Sequence, residues 1–245
     1  MKTGVILAAG LGKRLVIEGI KPLATVDNIE LLLRTIHSHE LAGCEKIVIV
    51  LGCKADAIQS YVDTRYIGSV ELVFAYNQQY NLQNGISVLC AGPFVGSQFL
   101  LTMADHILDD KIMDLVKDYK PSKRGATLCV DYKLDSIFDI DDATKVLAEG
   151  SRIREIGKQL KNYNCIDTGV FIGTEDLMKS IEAVYKLKGD ASLSDGVQRI
   201  ADKGLMEVLD IKDAYWQDVD TPEMLKHAER LLNNHSQNNL KSAVN

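Results

Sequence analysis

Continuous apolar runs, alternating with segments of helical spacing, constrain this chain more than any other feature. Gly4 to Ala8 (GVILA) and Lys46 to Leu51 (KIVIVL) are too short for core helices, and the second is rich in β-branched residues, so both read as buried strands. Val70 to Tyr76 and Gln98 to Met103 read the same way. Helical patterns lie at Ile29 to Leu41, behind the capping candidates Asp27 and Asn28, and at Ala55 to Val62, Gly85 to Ala91 and Asp110 to Tyr119. This alternation predicts an open, mostly parallel sheet covered on both faces.

The second half is less regular. Strands are expected at Gly125 to Tyr132, Ala143 to Glu149 and Ile166 to Ile172, interrupted by the acidic turn Asp139-Ile140-Asp141-Asp142. Helices at Glu175 to Tyr185 and Leu193 to Ala201, a strand at Met206 to Ile211 and a last helix from Pro222 to Leu232 follow. Pro222 suits a first helical turn, where its missing N–H has no partner to lose. The polar stretch from Asn233 is expected to fray. The chain is therefore expected to form one α/β domain over residues 1–232, with a mixed central sheet, inserted β-elements in its second half, and a polar tail at 233–245.

With 46% hydrophobic and 25% charged residues the chain has material for a sizeable core, which excludes disordered and fibrous classes. Its longest apolar or Gly/Pro stretch, Val88 to Gly96, is far short of the roughly 20 residues that span a bilayer, so no membrane crossing is expected. Lys13 and Arg14 follow the first apolar run without a small-residue cleavage site, so no signal peptide is expected and the cytoplasm is the expected location. Cys44, Cys53, Cys90, Cys129 and Cys165 are widely spaced, with no Cys-x-x-Cys, and read as small buried hydrophobes. A formal charge of −6 without a long basic run argues against nucleic acid as a partner. An anionic ligand then requires positive charge concentrated in one place.

Such a concentration exists. Leu7-Ala8-Ala9-Gly10-Leu11-Gly12-Lys13-Arg14-Leu15 takes a glycine-rich turn out of the first strand, and Lys21-Pro22-Leu23 follows. Backbone N–H groups of such a turn point into one concavity and bind phosphate oxygens. The Walker spelling fails because position 14 is Arg and no Gly stands five residues before Gly12. The dinucleotide fingerprint fails because position 15 is Leu. Leu100-Leu101-Thr102-Met103-Ala104-Asp105-His106 sets a carboxylate at the end of a buried strand, where open α/β sheets bind ligands. Asp218 and Asp220 are two apart, so on an extended segment they share a face. With Asp105 they form a candidate Mg²⁺ site, since Mg²⁺ takes one or two carboxylates together with substrate phosphates. His106 reads as a packed or hydrogen-bonded neighbour, because Mg²⁺ prefers oxygen.

In this order the segments resemble the sugar-phosphate nucleotidyltransferases, which open with a strand, Gly-x-Gly-x-Arg-Leu and Lys-Pro-Leu, here Gly10, Gly12, Arg14, Leu15 and Lys21 to Leu23. Within them the chain is most similar to the CTP:inositol-1-phosphate cytidylyltransferases. That likeness rests on Asn84 to Leu89, Thr102 to His106, Asp141 to Val146, Cys165 to Gly169 and Trp216 to Pro222. The resemblance implies a Rossmann-like nucleotidyltransferase domain and transfer of a cytidylyl group from CTP to inositol 1-phosphate. In relatives the domain is often fused to a membrane-embedded alcohol phosphotransferase. A membrane-bound CDP-alcohol phosphotransferase is thus an expected downstream partner, and a homodimer stays open.

In an in-line displacement the protein mainly positions charge. Leu7, Ala8, Ala9, Gly10, Gly12 and Lys13 would hold the nucleotide, Arg14 its β- and γ-phosphates and Lys21 its α-phosphate. Asp105 and Asp220 would hold Mg²⁺, with Asp218 the weaker ligand. By resemblance, Lys145 takes the acceptor phosphate; Asp167 and Thr168 reach its hydroxyls, and Gly169 allows close approach. Asn84, Gly85 and Ser87 read either as a helix N-terminus near base or acceptor or simply as a cap. The apolar link Leu15 to Ile20 departs from the polar residues relatives often carry there. Competing readings are a cytidylyltransferase for phosphocholine or 2-aminoethylphosphonate, a sugar-1-phosphate nucleotidyltransferase, and a catalytically silent sugar-nucleotide sensor.

Overall fold

The computed structural model describes residues 2–12 and 20–242, with side chains as far as residue 233. In chain order its elements are β1 (Thr3–Ala8), β2 (Thr25–Val26), β3 (Ile29–Glu30), α1 (Leu31–Leu41), β4 (Lys46–Leu51), α2 (Ala55–Arg65), β5 (Glu71–Tyr76) and α3 (Asn84–Ala91). There follow β6 (Gln98–Met103), β7 (His106–Leu108), α4 (Asp110–Asp118), β8 (Ala126–Asp131), β9 (Lys145–Glu149), β10 (Arg152–Gly157) and β11 (Cys165–Thr174). The chain continues through α5 (Glu175–Lys188), α6 (Leu193–Ala201), β12 (Met206–Asp210), β13 (Trp216–Asp218) and α7 (Pro222–Ser242).

Nine strands form one sheet in the order β5-β4-β1-β6-β11-β8-β12-β10-β9. β1 pairs in parallel with β4 and β6, and β8 with β12, whereas β11 and β10 run against their neighbours. The sheet is thus mostly parallel and mixed, as expected. Its continuous apolar strands serve both faces. Val5 and Leu7 of β1 join α3, α5 and α6 in one core, while Ile6 and Ala8 join α1, α2 and α4 in the other. Every one of these strand side chains is buried, and a large aliphatic residue contributes about 1.5–3 kcal/mol by leaving water. Helix starts follow local chemistry: Ser192 and Asp195 form a capping box on α6, and Thr174 caps α5.

The differences from expectation lie in short elements. Asp27 and Asn28 do not cap α1; both have positive φ (51° and 60°) and form the turn of the β2–β3 hairpin, so the helix begins at Leu31. β7 and β13, three residues each, pair antiparallel as a separate ribbon. β10 completes a hairpin with β9. The last helix continues past Leu232 to Ser242, and no helix among the described residues is long and apolar enough to cross a membrane. The cysteines are free; burial holds the Cys129 and Cys165 thiols up at about 12, as packed neutral groups.

Candidate active site

β1 and β6 are parallel neighbours, and Ala104 donates its N–H to the Leu7 carbonyl (3.0 Å), so Asp105 emerges beside the glycine-rich turn that leaves β1. Lys21 opens a single 3-10 turn, Lys21–Leu23, closed by Leu23 N–H on the Ile20 carbonyl (2.7 Å) and seated by buried Pro22. Gly12, at φ 60°, lies against it: a Cβ there would stand 2.7 Å from the Lys21 Cβ. From this turn the Lys21 ammonium bonds Asp105 Oδ2 and Asp220 Oδ1 together. Asp220 is brought over by the β7–β13 ribbon and by the Val219 N–H on the Asp105 carbonyl (2.9 Å). Residues far apart in sequence thus share one cation.

The ionisation of the group follows from its packing. Burial would raise Asp105, yet the adjacent Lys21 charge and His106 hold it well below the usual carboxylate range. Burial disfavours the Lys21 charge, but Asp105 and Asp220 raise it above its ordinary value. Asp218 does not join them on Lys21. Its Oδ1 accepts from Gln217 Nε2 (3.0 Å), and burial, opposed by His106, raises its pKa with help from Asp220 and Asp105. Among the described residues no group of three His, Cys, Asp or Glu side chains is arranged to hold a metal ion; Asp105 and Asp220 are the two carboxylates that meet on Lys21.

A cavity of about 500 Å³ opens over this pair, a volume suited to a small-molecule site. Of the residues singled out in the sequence, Leu7, Ala9, Gly10, Asn84, Ser87, Asp105, Asp167, Gly169, Asp218 and Asp220 line it. Asn84 and Ser87 do so while accepting from Leu193 N–H and Asn77 Nδ2 (2.9 Å each). Asp167 faces the cavity from β11, accepts the Gly169 N–H (2.7 Å), and is pushed up to about 6 by burial, against the pull of that N–H and of His106.

Four of the expected residues are engaged away from the cavity lining. Ala8 packs in the opposite core, beneath the sheet. Gly85 is a packing glycine, since a Cβ would stand 2.5 Å from the Ala191 carbonyl oxygen. Thr168 is fully buried and donates its hydroxyl to the Cys129 carbonyl (2.8 Å). Lys145 is buried with its ammonium on the Asp141 carbonyl (2.7 Å), bracing the acidic turn. Lys13 and Arg14 lie outside the described residues.

The cavity's own cations were missed. Lys158, immediately after β10, and Lys133, two residues after β8, both line it, held by Asp142 Oδ1 and Asp131 Oδ1 (2.8 Å each). Their signal was position: each follows a strand end, as Asp105 does, but β10 was not assigned. Trp216, stacked on His106, and Phe138, stacked on His227, add aromatic walls.

Residues 4–164 match the MobA-like NTP transferase domain. The chain belongs to that family. The chain is 34% identical over 232 residues to the bifunctional IPC transferase and DIPP synthase of Thermococcus kodakarensis, covering 93% of the chain and 50% of that protein. It is 30% identical to the protein of the same name from Aquifex aeolicus, over 95% of the chain and 52% of the relative. The chain therefore spans about half the length of these curated relatives. In three dimensions it superimposes on the inositol-1-phosphate CTP transferase from T. maritima with a TM-score of 0.80 and 26% identity, covering 94% of this chain and 96% of the other.

Proposed function

We propose that the chain transfers a cytidylyl group from CTP to inositol 1-phosphate, forming CDP-inositol and pyrophosphate. The observation that carries this reading is the convergence of Asp105 and Asp220 on one cation, beside a glycine-rich turn and within a cavity that also presents Lys133 and Lys158. The printed names of the relatives, which include an inositol-1-phosphate CTP transferase, support the choice of substrates.

The paired carboxylates fit Mg²⁺. Both are hard oxygen donors, and the Lys21 ammonium stands between them where a cation belongs. Asp105 and Asp220 would hold the ion, which would supply positive charge to the reacting phosphates. The remaining work falls to the chain. Backbone N–H groups of the turn at Gly10 to Gly12, with Lys13 and Arg14, hold the triphosphate, Arg14 taking its β- and γ-phosphates. Lys21 answers the charge that develops on the α-phosphate. Lys158 and Lys133 take the acceptor's phosphate in the place first assigned to Lys145, and Asp167 receives its hydroxyls. An acceptor phosphate oxygen forms the new bond to the α-phosphorus as the bond to the β-phosphate bridging oxygen breaks, and pyrophosphate departs with that electron pair. The product is an activated alcohol suited to a membrane-bound CDP-alcohol phosphotransferase.

The test is pyrophosphate release across the four NTPs with inositol 1-phosphate, phosphocholine, 2-aminoethylphosphonate and glucose 1-phosphate. CTP with inositol 1-phosphate is expected to turn over fastest. Turnover confined to another pair would replace the substrates, and none with any pair would remove the reaction.

A further inference from the structure

His106 is held by a carboxylate, an aromatic ring and a glycine. Its Nδ1 lies 2.7 Å from Asp105 Oδ1, the carboxylate oxygen that Lys21 leaves free, and an imidazole N–H there donates to it. One ring face stacks on Trp216, with centroids 5.9 Å apart and planes within 18°. The indole is fixed in turn by its Nε1–H on Asp131 Oδ2 (3.1 Å), a carboxylate at the end of β8. The far edge of the imidazole meets β11 where only glycine fits: a Cβ on Gly169 would stand 2.6 Å from Nε2. Across the β7–β13 ribbon His106 pairs with Asp218, so Trp216 reaches it diagonally.

We propose that His106 is a positioning residue, locked by Trp216 and Gly169, that takes Oδ1 of Asp105 so that Oδ2 alone faces the cation shared with Asp220. This rests on the metal-dependent reading above. Mg²⁺ demands near-ideal octahedral geometry at about 2.0–2.1 Å, so a carboxylate free to rotate serves it poorly. An imidazole donating to a ligand's second oxygen removes that freedom, and outer partners of this kind typically govern about 10–100-fold in affinity or activity.

The experiment compares His106→Asn, whose amide N–H can stand where Nδ1 does, with His106→Leu, which keeps bulk and loses the donor. Mn²⁺ binding to the nucleotide-free protein is read by electron paramagnetic resonance, and the Mg²⁺ concentration for half-maximal turnover is read separately. His106→Leu is expected to weaken both by about 10-fold or more, with His106→Asn within about 3-fold of the parent. Trp216 is the single tryptophan, so its emission and the melting temperature report whether each variant is folded around the same stack. A folded His106→Leu with parental Mn²⁺ binding would reduce His106 to packing and overturn the proposal, as would a parent protein that binds no Mn²⁺. Absence of turnover with CTP while Mn²⁺ binding still separates the two variants would overturn the substrate reading and leave the positioning role standing.

Discussion

The Lys21 ammonium sits 2.5 Å from Asp105 Oδ2 and bonds Asp220 as well, with all three side chains largely withdrawn from solvent. One lysine therefore neutralises two carboxylates that would otherwise repel. A divalent ion directed to the same oxygens must displace it, which frees the ammonium for a phosphate. Lys21→Met is expected to lower turnover about 100-fold or more, as loss of a transition-state donor does. The same variant is expected to bind Mn²⁺ more tightly without nucleotide, and to lose about 1–3 kcal/mol of stability because it leaves two largely buried carboxylates without their cation. Weaker Mn²⁺ binding in Lys21→Met would refute the competition.

Asp167 carries a stability cost tied to pH. Burial lifts its folded pKa to about 6 from 3.8, so between those values the folded state holds the extra proton. Stability from this group is thus present at low pH and lost as pH rises through 6. Asp167→Asn, which keeps an oxygen for the Gly169 N–H, should gain about 1–2 kcal/mol at pH 8 and almost nothing at pH 4, after allowance for partial exposure. Urea melts at the two pH values decide it. Its KM for inositol 1-phosphate should rise about 10-fold if the carboxylate holds acceptor hydroxyls, whereas that for CTP should not move.

His39 works in the opposite direction. It is fully buried in α1, with Nε2 2.8 Å from Thr102 Oγ1 and β1 passing so close that a Cβ on Gly4 would stand 2.1 Å from Nδ1. Burial lowers its pKa to about 3. Between pH 6.5 and 3 the unfolded chain takes the extra proton, so stability falls as pH drops through that window, by about 2 kcal/mol from pH 7 to 5. Thermal melts of His39→Gln across this range should show that loss removed; identical slopes in the two proteins would exclude His39 as the cause.

Gly169 has φ 75° and faces His106. Gly169→Ala combines left-handed strain with a contact of 2.6 Å to Nε2, and is expected to cost about 1–3 kcal/mol. Because displacement of the imidazole disturbs its stack, the emission of Trp216 should shift as well. A parental melting temperature and spectrum would show that β11 yields without moving the ring.

The strands of the sheet other than β10 were legible because continuous apolar runs rich in β-branched residues are buried between two helix layers, and Asp105 was legible as a carboxylate at a strand end. Three-residue strands such as β7 and β13 lie below any periodicity and exist because each supplies the other's hydrogen bonds. Neighbours on one strand divide by the pleat: Asp167 faces the cavity and Thr168 the Cys129 carbonyl, and the chain alone does not say which face is which. That Lys158 and not Lys145 lines the cavity needed the β9–β10 hairpin, which sets Lys145 opposite Gly157 and leaves the next residue, Lys158, at the cavity wall. Residue types and their local spacing determined the layers and the inventory of charges. Only tertiary structure decided that Lys21, Asp105 and Asp220 meet, since that meeting depends on long-range strand pairing, whose energy no local segment contains.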